Sequence, residues 1–265
     1  PGMSAGWRIW NTSYAFYGAA FASMIHAFAI PAGLEAGRRK RGKGGGLFGW
    51  LTSAPWKNPV FSATIFSLVL FGFVGGITGV VMGQMQVNMT WHNNFATVGH
   101  FHGTVALWTT ITFMALVYFV LRTMFMRNLS FPRLASAQPY LYAGGMGVVT
   151  LMMMYLGLLF SVPRRTAEVV RNIPGTDFNF AAASPLFAIF GVFALLAITA
   201  GALFVVIAVV SLLAGERVRR PEQLADLVAR DDARPDGGTP DAASDGTDDG
   251  DEKPVHAYDM RGTFL

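Results

Sequence analysis

Five long apolar runs alternate with short polar connections, at about Ile9 to Leu34, Val60 to Gly83, Thr97 to Leu121, Tyr140 to Val162 and Pro185 to Leu213. A helix of about 20 largely apolar residues crosses a hydrocarbon core of roughly 30 Å, so each run predicts one transmembrane helix. The second run carries Gly72, Gly75, Gly76, Gly79 and Gly83. Small residues at that spacing let a neighbouring helix approach closely, which predicts a packed bundle rather than separate anchors. The expected fold is an all-α integral membrane bundle of about five helices within residues 1–215. From Pro221 to Lys253 the pattern turns polar and acidic, with Asp231, Asp232, Asp236, Asp241, Asp245, Asp248, Asp249, Asp251 and Glu252 among Gly, Pro, Ser and Thr. Such a segment buries too little to offset the entropy of ordering, so residues 216–265 are expected to form a disordered, solubilising tail.

Composition supports the membrane class: 52% of residues are hydrophobic and only 14% charged. Cysteine is absent, which removes disulfides, thiolate metal sites and thiol nucleophiles from consideration. The chain begins at Pro1, with no signal-like segment before the first run, and more sequence is expected upstream. The net charge of +4 hides an asymmetry, because residues 1–215 hold only three acids, Glu35, Glu168 and Asp177. The basic residues sit in short loops beside apolar runs, where membrane orientation explains them and a nucleic-acid partner is not required. Arg38 to Lys43 and Lys57 place the first loop in the cytoplasm. The loop from Gln84 to Ala96 has no Lys or Arg and belongs outside; Arg122, Arg127 and Arg133 are inside again, and Arg217, Arg219 and Arg220 put the tail in the cytoplasm. This topology suits a multi-pass protein of the plasma membrane. The connection after the fourth run should be external yet holds Arg164, Arg165 and Arg171, an exception that asks for a local anionic partner.

The strongest chemical signal is Val98-Gly99-His100-Phe101-His102-Gly103, near the external end of the third run. A single histidine there could be a packing residue; two invite another reading. Positions two apart on a helix diverge by about 200°, so His100 and His102 cannot chelate one ion from one face, but each can reach a separate group. Imidazole is a common axial ligand of haem iron, and a helix between two haems fits that divergence. Asn88 and Trp91-His92-Asn93-Asn94 precede them in the external loop, either as ordinary interfacial polarity or as part of the same site. Arg164 and Arg165 fall at a similar depth, and arginine pairs with carboxylates such as haem propionates. The consecutive Met152, Met153 and Met154 point to different faces and read as lipid-facing or gap-filling residues.

Together, Trp91-His92-Asn93-Asn94, Gly99-His100-Phe101-His102 and Ser161-Val162-Pro163-Arg164-Arg165 resemble subunit I of heme-copper terminal oxidases, in particular the B-type branch. Gly46-Leu47-Phe48-Gly49-Trp50 and Pro55-Trp56-Lys57-Asn58-Pro59 in the first loop resemble the same branch, and the likeness extends over roughly residues 7 to 215. It implies that the chain is the C-terminal part of a subunit of twelve or more helices. It further implies two haems, with His100 as axial ligand of the high-spin haem at the catalytic centre and His102 as axial ligand of the low-spin haem. Phe101 matches an aromatic position near both haems, Arg164 and Arg165 match a propionate-binding pair, and His92 matches the propionate and water region. At Asn88 the branch would carry an acid; here hydrogen bonding to a propionate remains.

On the first helix the resemblance implies hydroxyls along a proton-uptake path. Ser23 and His26, one turn apart, stand nearest those positions, with His26 in place of an expected hydroxyl. Otherwise Ser23 bonds its own helix and His26 packs against a neighbour. The binuclear copper would be held by upstream residues not in this chain. Implied partners are the missing N-terminal helices, a subunit II with a copper electron-entry site, cytochrome c or a small blue-copper donor, and membrane lipid. The expected function is reduction of O2 to water with coupled proton translocation. The alternatives are a nitric oxide reductase on the same scaffold and a non-enzymatic membrane cytochrome or transporter.

Overall fold

The computed structural model describes residues 2–43, 45–164 and 180–217, apart from the side chains of 22–24, 26, 27, 90, 180 and 181. They form helix α1 (residues 5–40), the short α2 (Gly49–Thr52), α3 (Pro59–Gly83), a short α4 (Met85–Trp91), α5 (Phe95–Thr123), α6 (Pro132–Phe160) and α7 (Phe180–Ala214). Among the described residues four helices are both long and apolar enough to cross a membrane: α3, α5, α6 and α7 from Ala182 onward. The first apolar run is also one unbroken helix, α1. The expected tail beyond Arg217 lies outside the described residues, as do Arg165 and Arg171.

Local chemistry sets the helix starts. Asn58 caps α3 by accepting from the amides of Val60 at 3.0 Å and Phe61 at 3.5 Å, with Pro59 in the first turn, where an N–H has no helical acceptor. The Trp56 indole donates to the Leu51 carbonyl at 2.8 Å, and the Tyr140 hydroxyl donates to the Trp56 carbonyl at 2.8 Å, tying this loop to α6. α6 begins with Pro132 after Phe131, whose φ of 54° ends the preceding chain direction. It ends at Ser161, also left-handed with φ 53°, whose N–H closes on the Leu156 carbonyl. α1, α3 and α5 each contain a π-helical stretch, at Trp10–Ala15, Phe71–Gly76 and His102–Thr109.

α5 packs against α3 on one side and α6 on another, and α7 covers α6. Leu107, Ile111, Met114 and Ala115 of α5 meet Tyr142, Met146, Val149 and Met153 of α6 in the core, with Ala63 and Val74 from α3 and Ala197 and Ala200 from α7. Glycines set the separations. A Cβ on Gly103 would lie 3.2 Å from Thr150 Cγ2 and 3.3 Å from Val74 Cγ1, and one on Gly99 would lie 2.9 Å from the Met154 backbone nitrogen. Of the α3 glycines, a Cβ on Gly75 would lie 3.1 Å from Thr104 Cγ2 and one on Gly83 2.8 Å from Phe16 of α1, whereas one on Gly72 would meet nothing within 4 Å. Met153 and Met154 are buried, filling the space opposite Gly99.

One polar node crosses the bundle. Gln138 is fully buried; its amide donates to the Ala200 carbonyl at 3.2 Å and to Met114 Sδ at 3.3 Å, and it accepts from the Tyr118 hydroxyl at 3.2 Å. Each of those partners sits on α5 or α7, so a single side chain links three helices where a lone amide would be costly.

Candidate functional site

His100 is the last residue but one of the α-helical first part of α5, and His102 opens its π-helical stretch. π-Helical turns are rare and recur at functional positions. Both imidazoles are half-buried, and Phe101 between them is 58% exposed. His100 leans on α3. Its Nδ1 is 3.0 Å from Thr78 Oγ1, the Gly75 carbonyl is a second acceptor in reach of the ring, and a Cβ on Gly79 would come within 2.8 Å of its Cε1. The helix surface is therefore hollowed at Gly79 to seat the ring, and the adjoining Thr78 offers it a hydroxyl. His102 instead turns back along its own helix, with Nδ1 2.8 Å from the Val98 carbonyl.

A carbonyl oxygen only accepts, so His102 carries its proton on Nδ1. In both rings Nδ1 is engaged and Nε2 has no hydrogen-bond partner among the described residues. A neutral imidazole held this way offers the Nε2 lone pair as a ligand, and a bond at the other nitrogen fixes the ring orientation.

The loop before α5 and the chain after α6 are sewn together. Phe95 N–H donates to the Val162 carbonyl at 2.8 Å, Arg164 N–H donates to the Asn93 carbonyl at 2.8 Å, and Asn94 pairs with Pro163 in an isolated antiparallel bridge. The Asn94 side chain caps α5 by accepting from the Ala96 amide at 2.9 Å, and donates to the Gly157 carbonyl at 3.2 Å. Thr97 Oγ1 donates to the Trp91 carbonyl at 2.5 Å. These bonds bring Arg164 beside Asn93, one residue from His92, at the end of α5 that carries the two histidines.

Arg164 and His92 are exposed, and Asn88 donates to the Met82 carbonyl at 3.1 Å. Arg165 lies outside the described residues. Ser23 and His26 fall on α1, but their side chains lie outside them too. Sequence reasoning does not single out Thr78 and Gly79. The glycine spacing points to close helix packing, but nothing in it tells which glycine faces an imidazole rather than a helix.

The family model described as Cytochrome C and Quinol oxidase polypeptide I matches residues 9–196. The chain belongs to the cytochrome c and quinol oxidase polypeptide I family. Members similar to it include a cytochrome c oxidase subunit 1 of Thermus thermophilus, 35% identical over 168 residues, which cover 62% of this chain and 29% of that one. A second Thermus thermophilus cytochrome c oxidase subunit 1 is 31% identical over 110 residues, 41% of this chain and 91% of that one. Among solved structures, a heme-copper terminal oxidase dimer determined by cryo-EM has a TM-score of 0.69 and 28% identity, over 83% of this chain and 39% of that one. The chain thus spans well under half the length of the first relative and of the solved oxidase chain.

Membership implies haem and copper in the complete subunit. The two oriented imidazoles fit haem iron, which takes an axial nitrogen. Among the described residues no three of His, Cys, Asp or Glu converge on one point that would hold copper.

Proposed function

We propose that this chain is the part of a B-type heme-copper oxidase subunit I that supplies one axial imidazole to each of two haems, in an enzyme that reduces O2 to water and couples the reaction to proton translocation. The observation that carries this reading is the pair of histidines on α5, each with Nδ1 engaged and Nε2 free. When bound, the haems supply irons that carry electrons and take up oxygen. His100 is the ligand at the oxygen-reducing centre, seated on α3; His102 is a ligand of the low-spin haem, held by its own helix.

Arg164 and Arg165, with His92 and Asn88, bind haem propionates. The bond from Arg164 N–H to the Asn93 carbonyl supports this grouping, because it brings Arg164 beside the loop that carries His92. A fixed positive charge beside a propionate also lowers the energy of an added electron. Ser23 and His26 of α1 line the proton-uptake path. Copper, the second axial histidine of the low-spin haem, subunit II and its electron donor belong to the rest of the assembly, in a plasma membrane with the acidic tail in the cytoplasm.

The test is an optical and EPR comparison of His100→Ala and His102→Ala in the full-length, assembled enzyme. His100→Ala is expected to change the high-spin signal and CO binding while a low-spin spectrum persists. His102→Ala is expected to remove the low-spin signature first. Identical spectra from the two variants, or wild-type spectra from both, refute the two-haem assignment.

A further inference from the structure

We infer that Thr78 is a positioning residue that joins the Gly75 carbonyl in holding the His100 proton on Nδ1 and sets how strongly its Nε2 donates to a bound iron. This rests on the reading of His100 as an axial ligand. A hydroxyl has one hydrogen and two acceptor lone pairs. The Thr78 hydrogen is committed to its own helix: Oγ1 lies 3.0 Å from the Gly75 carbonyl and closer still to that of Val74. Toward His100 Nδ1, 3.0 Å away, the hydroxyl is therefore an acceptor, and the imidazole proton resides on Nδ1. The lone pair is left on Nε2.

A chain of two hydrogen bonds results, from ring N–H to hydroxyl and from hydroxyl to the helix carbonyl. Bonds in such a chain polarise one another, so the hydroxyl accepts more strongly than an isolated one. Withdrawing the Nδ1 proton gives the ring partial imidazolate character, and its Nε2 becomes a stronger donor. Gly79 completes the arrangement: without a Cβ, the neighbouring position lets the ring approach α3 closely enough for the bond to form. One turn of α3 thus controls the ligand from 22 residues away in sequence.

The experiment uses Thr78→Val, Thr78→Ala and Thr78→Ser in the assembled oxidase, with His100→Ala alongside. It reads the iron–histidine stretching band of the reduced high-spin haem by resonance Raman, together with that haem's midpoint potential. The low-spin band serves as the measure of folding. Val and Ala should lower the stretching frequency and raise the potential, since a weaker donor stabilises ferric iron less. Ser should restore both. If Val distorts the packing and the low-spin band is lost, Ala, which only removes atoms, decides. An unchanged frequency in Ala overturns the role of Thr78. A stretching band that survives His100→Ala overturns the ligand assignment itself, whatever the Thr78 variants do.

Discussion

Gly79→Ala should damage the site while leaving the fold intact. A Cβ at this position would stand 2.8 Å from His100 Cε1, 3.5 Å from Nε2 and 3.7 Å from Nδ1. Carbon atoms pack comfortably at about 3.5–4.0 Å, so the ring must retreat by roughly 0.7 Å or rotate. Its bond to Thr78 is 3.0 Å long, and a retreat of that size carries it past the range of about 2.7–3.2 Å in which such bonds are good. The atom that gives way is the free end of a side chain, which moves at little cost. Alanine is meanwhile the better helix former by about 1 kcal/mol. Thermal stability should therefore hold or rise slightly, while the high-spin spectrum and CO recombination change. Gly72→Ala is the control on the same helix, since its Cβ would meet nothing within 4 Å. The assay is thermal unfolding of the purified enzyme followed by visible spectroscopy and CO flash photolysis. A Gly79→Ala enzyme with wild-type stability, wild-type high-spin spectrum and wild-type CO kinetics would refute the idea that the ring rests on this residue.

Gly157→Ala should behave in the opposite way, because its Cβ would strike the backbone of Phe95, 2.9 Å from the carbonyl carbon, and of Ala96; overpacking of about 1–3 kcal/mol should appear as a lower melting temperature. Gln138→Leu strands the buried Tyr118 hydroxyl and should cost about 1 kcal/mol in denaturant titration, with a smaller loss when made on top of Tyr118→Phe. In Arg164→Leu the main-chain bond to Asn93 survives, so the loop should stay in place while the low-spin haem potential falls; redox titration checks this, and an unchanged potential puts the guanidinium elsewhere. A cysteine replacing the exposed Ser53 should be labelled by a membrane-impermeant reagent only from the cytoplasmic side.

The helices were legible because a run of apolar side chains is sufficient reason for a helix in lipid. Val60 to Gly83 matches α3 within one residue. The fourth run reads as starting at Tyr140, later than the helix itself. Arg133, Gln138 and Pro139 interrupt its hydropathy, yet Pro132 starts the helix and the Gln138 amide finds partners across it. Positive charge on an external connection puts Arg164 at the depth of Trp91–Asn94, and a main-chain bond joins Arg164 to Asn93. The contact of Thr78 with His100 was not legible. It depends on how far α3 and α5 are rotated, and both contain π-helical stretches that shift the phase of every residue beyond them, which no hydropathy pattern reports.

The seam between the two loops also bears on how such a site can drift in sequence. Two of its bonds, from Phe95 to Val162 and from Arg164 to Asn93, join main-chain atoms, so they survive nearly any exchange of side chains. Proline at position 95 or 164 is what would unpick them, and the proline already present, Pro163, sits between the Val162 acceptor and the Arg164 donor, where no N–H is asked for. The loop can thus trade the side chains of His92, Asn93 or Arg164 for other groups and still present the replacement at the same spot. Variation there would retune the chemistry without having to rebuild the architecture.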